Sequence, residues 1–160
     1  MGNLTKPVRD FVNVTKLGFA ATVCSDGTPN LSPKGTIMAW DEDHLVFADI
    51  HSPGTVENLK SNPSIEINVV DVFMRKGYRF KGTGSVYSAG PVFDEVVVSY
   101  RKAGSKHKIN NIVRVKVDRI LPLESPAYDS GLTEEEVKMR WIVYWKSVHE
   151  SDAPEDVDKI

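Results

Sequence analysis

A chain of 160 residues with 41% hydrophobic and 26% charged side chains has the makeup of one folded domain, able to bury roughly 70% of the surface its unfolded form exposes. That composition excludes a disordered or fibrous chain, and a formal net charge of -2 leaves no basic field to hold a nucleic-acid strand. A single cysteine, Cys24 in an apolar run, reads as an inert thiol of a reducing cytosol, and neither a targeting pattern nor a stretch near the roughly 20 apolar residues of a membrane span is present.

The first predicted element is a short helix over residues 5–14, with Pro7 in its first turn and Val8, Phe11 and Val12 at helical spacing. An apolar strand over 17–24 follows, and Ser25-Asp26-Gly27-Thr28 turns it back. The return strand runs over 29–40, breaks at Asp41-Glu42-Asp43 and resumes over 45–48, which predicts a three-stranded antiparallel meander. Ser52-Pro53-Gly54-Thr55 then opens a helix over 53–61 that Asn62-Pro63 stops. Residues 64–72 alternate Ile65, Ile67 and Val69 with Glu66 and Asn68, the pattern of a strand with one wet face. Residues 78–88 form a further long strand, in which Gly82 and Gly84 mark a bulge or a tight corner.

Pro91 opens a helix with Val92, Phe93, Val96, Val97 and Tyr100 on one stripe, ending near Gly104. Residues 111–120 alternate as a last strand, and 121–131, with Pro122 and Pro126, read as an irregular connection. Thr133-Glu134-Glu135-Glu136 is a capping-box start for a final helix carrying Val137, Trp141, Tyr144, Trp145 and Val148. Together these predict a single α+β domain over 1–150, a mainly antiparallel barrel of six or seven strands with peripheral helices, and a flexible acidic tail over 151–160. An eight-stranded lipocalin-like can is the nearest competitor, and the helix inserted at 53–61 counts against it.

The side chains offer little unaided chemistry. His44, His51, His107 and His149 are scattered without metal-ligand spacing, so no metal site is expected. No nucleophile elbow surrounds any serine, and Gly82-Thr83-Gly84 lies inside a strand and opens no helix, so it is not a phosphate loop. A reaction here would rest on a cofactor. The best site lies where residues 29–36 meet residues 47–59. A helix N-terminus presents unpaired N–H groups and partial positive charge to a phosphate. Thr55 and Asn58 add donors at that turn, and Lys34 adds an ammonium from a neighbouring strand. The competing structural reading makes Ser52 or Thr55 a helix cap, Asn58 an exposed helix residue and Lys34 a solvated strand lysine.

In order and spacing these segments resemble the flavin mononucleotide (FMN) binding split β-barrels related to pyridoxamine 5′-phosphate oxidase, over residues 17–121. The resemblance is carried by Asp26-Gly27-Thr28-Pro29, Ser32-Pro33-Lys34-Gly35, Phe47-Ala48-Asp49, Thr55 with Asn58-Leu59 before Asn62-Pro63, and Tyr78-Arg79-Phe80-Lys81-Gly82. It implies that Ser32, Pro33, Lys34 and Gly35 lie along the ribityl and isoalloxazine groups, that Ala48 and Asp49 contact the flavin edge, and that Lys34, Thr55 and Asn58 hold the phosphate. Arg79 or Lys81 would add a second positive charge. It also implies a homodimer with FMN at the subunit interface, where Trp141 or Tyr128 of the other subunit would cover the ring, although Trp141 at helical spacing also reads as core.

The chain departs from pyridoxamine 5′-phosphate oxidase itself. It has Ser52-Pro53-Gly54 where that enzyme has a Ser-Arg-Lys run, and it ends Asp156-Val157-Asp158-Lys159-Ile160 in place of an arginine-bearing segment. Vitamin B6 synthesis is therefore not expected. The implied function is an FMN-dependent oxidoreductase with a small-molecule redox partner such as NAD(P)H. The alternatives are a non-catalytic binding protein for FMN, haem or a deazaflavin, and a structural dimer with an empty site.

Overall fold

The computed structural model describes residues 2–151 and orders them as four helices and seven strands. The acidic tail expected over 151–160 lies outside the described residues, apart from the backbone of Ser151. The chain divides into two compact units, one comprising the described residues up to Val70 with Gly77–Pro122, the other Asp71–Lys76 with the described residues from Leu123 on.

In the first unit, α1 (Lys6–Thr15) starts after Thr5 with Pro7 in its first turn and buries Val8 and Val12. The hairpin β1 (Gly18–Val23) and β2 (Pro29–Lys34) forms as expected, with Thr22 opposite Asn30, Ala20 opposite Ser32 and Gly18 opposite Lys34. The tight turn needs a positive φ, which Gly27 supplies at 83°. The expected meander does not continue, because the return strand breaks after Lys34. Its remainder is β3 (Met38–Ala39), which pairs antiparallel with β4 (His44–Asp49) at the opposite edge of the sheet. The strand order is β2-β1-β5-β6-β7-β4-β3, with β5 (Ser64–Asp71), β6 (Lys76–Tyr87) and β7 (Asn111–Glu124) in the middle.

This order curls the sheet. The two edge strands are joined by residues 35–37 alone, and four Cα steps reach about 15 Å at most. The edges of a seven-stranded antiparallel sheet are thereby drawn toward each other into a half-barrel. Across the split, Thr36 Oγ1 accepts from the Ala48 N–H at 3.0 Å and donates to the Ala48 carbonyl at 3.3 Å, replacing ladder pairing with a side-chain tie. Prolines at 29 and 33 leave the β2 edge short of donors, which guards it against pairing with another chain.

β4 is buried on both faces. Leu45 and Phe47 join the barrel core with Val12, Ile37, Ile67, Phe80, Val113 and Val115, whereas Val46 and Ala48 join a second cluster with Val96, Tyr100 and Ile112. Val96 and Tyr100 come from α3 (Pro91–Lys102), on the predicted stripe. The two strand glycines have separate reasons. A Cβ at Gly82 would run into the Lys116 carbonyl of β7, and one at Gly84 would press on Leu59 of α2 (Pro53–Ser61) at 2.9 Å. β7 continues through Pro122 to Glu124, four residues beyond the predicted strand end. Its pairing with β4 stops at Lys116, so the later part has edge character, where proline is tolerated.

The second unit is built on α4 (Glu134–Ser151), whose capping box forms: the Thr133 N–H donates to Glu136 Oε2 at 2.8 Å and the Glu136 N–H to Thr133 Oγ1 at 3.3 Å. Val137 is buried, while Met139, Val143 and Tyr144 are exposed. Lys76 pairs with Glu124 at 3.1 Å and Glu134 at 2.9 Å.

Candidate functional site

The start of α2 is shaped by Asp49 at the end of β4. Its carboxylate is buried and bonded at both oxygens, Oδ1 accepting from the Ser52 N–H at 2.9 Å and Oδ2 from Asn111 Nδ2 at 2.8 Å. The Ser52 carbonyl then accepts from the N–H groups of Thr55 and Val56. Pro53 has no N–H, so Gly54 is left with the free donor of this first turn among the described residues. Gly54 stands open, since a Cβ there would meet no atom within 4 Å.

Lys34 is the centre of the arrangement. Its side chain points inward from the last position of β2, and the residue is 3% exposed, which overturns the reading of a solvated strand lysine. The ammonium donates to Ser32 Oγ at 2.6 Å, Ser52 Oγ at 2.8 Å and Thr55 Oγ1 at 3.4 Å, and lies 5.6 Å from the centroid of the Phe47 ring. Among the described residues no carboxylate comes within ion-pair distance of it. Burial lowers its pKa, with the charge of Asp49 opposing that shift. A buried cation held by three neutral hydroxyls has its hydrogen bonds met and its charge only partly met, by Asp49 beyond ion-pair distance, so an anion at this point is electrostatically favoured.

A cleft of about 370 Å³ opens beside this group, lined by Ser32, Pro33, Lys34, Gly35, Thr36, Ala48, Ile50, His51 and Ser52. Five residues expected on sequence grounds, Ser32, Pro33, Lys34, Gly35 and Ala48, thus share one wall, and Thr55 joins them through Lys34. Asn58 is placed one helical turn on, its amide donating to Thr22 Oγ1 at 3.0 Å, where Asn30 Nδ2 also donates at 3.1 Å. These bonds make a polar seam between α2 and the β1–β2 hairpin. Arg79 and Lys81 are occupied elsewhere, sharing the two oxygens of Glu66 at 3.0 and 3.1 Å. Trp141 belongs to the second unit, where the Arg75 guanidinium lies 4.0 Å from its ring centroid and Tyr144 meets its edge.

Thr36 lies in the expected site segment, but the sequence gives it no role; it ties to Ala48, and its carbonyl accepts from the buried Tyr100 hydroxyl at 2.6 Å. The alternative that makes Ser52 a helix cap does not hold: Ser52 makes no side-chain cap bond, and its Oγ accepts from Lys34. The alternation Asn30, Ser32, Lys34, with Thr22 opposite Asn30, was a readable sign of a polar face under a helix, since residues two apart on a strand share a face.

The family model described as pyridoxamine 5′-phosphate oxidase matches residues 4–145. Among solved structures, HupZ of Group A Streptococcus is 29% identical, with a TM-score of 0.68 over 76% of this chain and 94% of that chain. A pyridoxamine 5′-phosphate oxidase candidate from Lactobacillus delbrueckii is 21% identical, with a TM-score of 0.64 over 76% of this chain and 95% of that one. An FMN-binding protein from Syntrophomonas wolfei is 19% identical, with a TM-score of 0.65 over 76% of this chain and 87% of that one. No curated protein matches.

Proposed function

The chain belongs to the pyridoxamine 5′-phosphate oxidase family, and on that premise we propose that it is an FMN-binding flavoprotein, an oxidoreductase acting on a small molecule as a homodimer. The observation that carries this reading is the buried ammonium of Lys34, held by Ser32, Ser52 and Thr55 without a carboxylate partner among the described residues. A phosphate supplies the missing charge, and the free N–H of Gly54 with the hydroxyls of Ser52 and Thr55 supplies donors to it. The donor set therefore fits the group. The Syntrophomonas neighbour, an FMN-binding protein, supports the choice of nucleotide.

When bound, FMN supplies one- and two-electron redox chemistry. The protein's part is to bind and orient. Lys34 anchors the anionic end, Ser32, Pro33 and Gly35 form a wall beside it, and the Thr36 tie holds Ala48 in place. Arg79 and Lys81, neutralised in part by Glu66, are assigned no phosphate contact. Trp141 or Tyr128 as a cover supplied by the second subunit is part of the dimer proposal. Activity is tested on purified protein loaded with FMN, by following bleaching of the flavin absorbance under NADH or NADPH without oxygen. Bleaching faster than that of free FMN supports an oxidoreductase. Bound flavin that no reduced nicotinamide bleaches leaves a carrier and removes the NAD(P)H reading.

A further inference from the structure

We propose that α4 is a self-association surface: its outward apolar face pairs with the same face of a second copy of this chain, the two helices running antiparallel. The inference rests on the proposed association of two copies, names where and in which direction they meet, and does not depend on FMN. α4 is 18 residues long, about 27 Å, yet among the described residues Val137 is the one side chain it buries. Helices in proteins are held mainly by packing of an apolar face rather than by propensity, so a helix of this length needs more cover than one valine supplies.

The helix carries two apolar faces. Val137 and Trp141 lie on the predicted stripe, where the Arg75 guanidinium sits 4.0 Å from the Trp141 ring centroid. Met139 and Val143 are each two residues from Trp141, which at roughly 3.6 residues per turn sets them about 160° round the helix from it. They are 53% and 62% exposed, and the half-buried Ile142 lies beside them. Three apolar side chains from each copy fall short of the roughly 1,200 Å² of a stable interface, so the pair is one contact of the proposed homodimer and not the whole of it.

The charges on this second face select the occupant. Glu135, Met139, Ile142, Val143 and Lys146 follow one another at helical spacing, so a single stripe has a carboxylate at its start, an apolar middle and an ammonium at its end. A parallel second copy would set like charge beside like at both ends. An antiparallel copy sets Glu135 against Lys146 of the partner subunit and Lys146 against the partner's Glu135, and the same register brings Met139 to Ile142 of the partner subunit. One two-fold axis satisfies both ends, as a self-complementary contact requires. Among the described residues Glu135 has no ion-pair partner, and Lys146 has Glu150 alone, at 3.4 Å on the exposed surface.

The test is zero-length carbodiimide cross-linking of the full chain at high micromolar concentration, with isotopically heavy and light protein mixed and the links mapped by mass spectrometry. Glu135 and Lys146 of one helix stand about 16 Å apart along its axis, too far for a direct amide bond, so a link between them joins two copies. The link between Lys146 and Glu150, 3.4 Å apart within one helix, is the internal control. The expected result is a Glu135–Lys146 link in heavy–light pairs that Val143→Glu abolishes, with the control link kept and the circular dichroism unchanged. In sedimentation, Glu135→Lys and Lys146→Glu should each weaken association about threefold or more, as an exposed charge pair allows, and the double reversal should restore it. Control links without a link between copies, a link that survives Val143→Glu, or a double reversal no stronger than either single change overturns the proposal. Twice the chain mass in light scattering with no such link leaves the homodimer standing and removes this contact alone, giving the face to a different protein. A monomer in light scattering with no such link removes both.

Discussion

Lys34 illustrates how a buried cation is costly for folding. Its ammonium is withdrawn from water and given three hydroxyls in place of a close counter-charge, an arrangement that disfavours the charged form unless an anion lies beside it. Because burial is the main cause of its lowered pKa, the folded value lies below the ordinary 10.5. Between the two values the unfolded chain holds the proton and the folded one has released it. Stability of the flavin-free protein therefore rises with pH across that window, while affinity for a phosphate falls across it. FMN titrations at stepped pH should show affinity flat above the phosphate's second ionisation, near pH 6, and declining on the alkaline side before 10.5. A decline that persists in Lys34→Ala would assign it to another group. Lys34 was legible in Ser-Pro-Lys-Gly as a candidate, but its burial was not, because burial depends on α2 lying over β2.

Among the elements, helices and hairpins of local origin were readable and long-range strand placement was not. The bounds of α2 and the capping box of α4 follow from residues within a few positions of each other. The jump from β2 to β3 at the other edge of the sheet depends on Ile37 entering the core and on Thr36 bonding Ala48, twelve positions away. Nothing in the run from Pro29 to Trp40 marks that jump. The Arg79 and Lys81 pairing with Glu66 was likewise hidden, since it needs the β5–β6 register. The glycines of β6 were legible as special positions, and the structure supplies the reason in the approach of Lys116 to Gly82. Gly82→Ala should therefore cost about 1–3 kcal/mol by overpacking, measured by urea denaturation, whereas Gly35→Ala, with no atom near the new methyl, should leave the midpoint within error.

For the molecule as a whole, the outer face of the β1–β2 hairpin exposes Phe19 at 44% and Leu31 at 66%, on the side opposite the inward Lys34. Exposed apolar side chains on a sheet face are a mark of association, and a two-fold assembly is the commonest closed form. Light scattering should report a mass near twice the 17.8 kDa of one chain, and Leu31→Glu should shift the population toward monomer; a wild-type monomer at high micromolar concentration would refute the dimer. The flavin assignment itself is decided by equilibrium titration of wild-type and Lys34→Ala protein with FMN at neutral pH. Saturable binding that weakens at least about tenfold in the variant is predicted, since charge-assisted hydrogen bonds contribute roughly 1.5–3 kcal/mol. Wild-type protein that binds no FMN, or a variant that binds it equally well, would contradict the assignment.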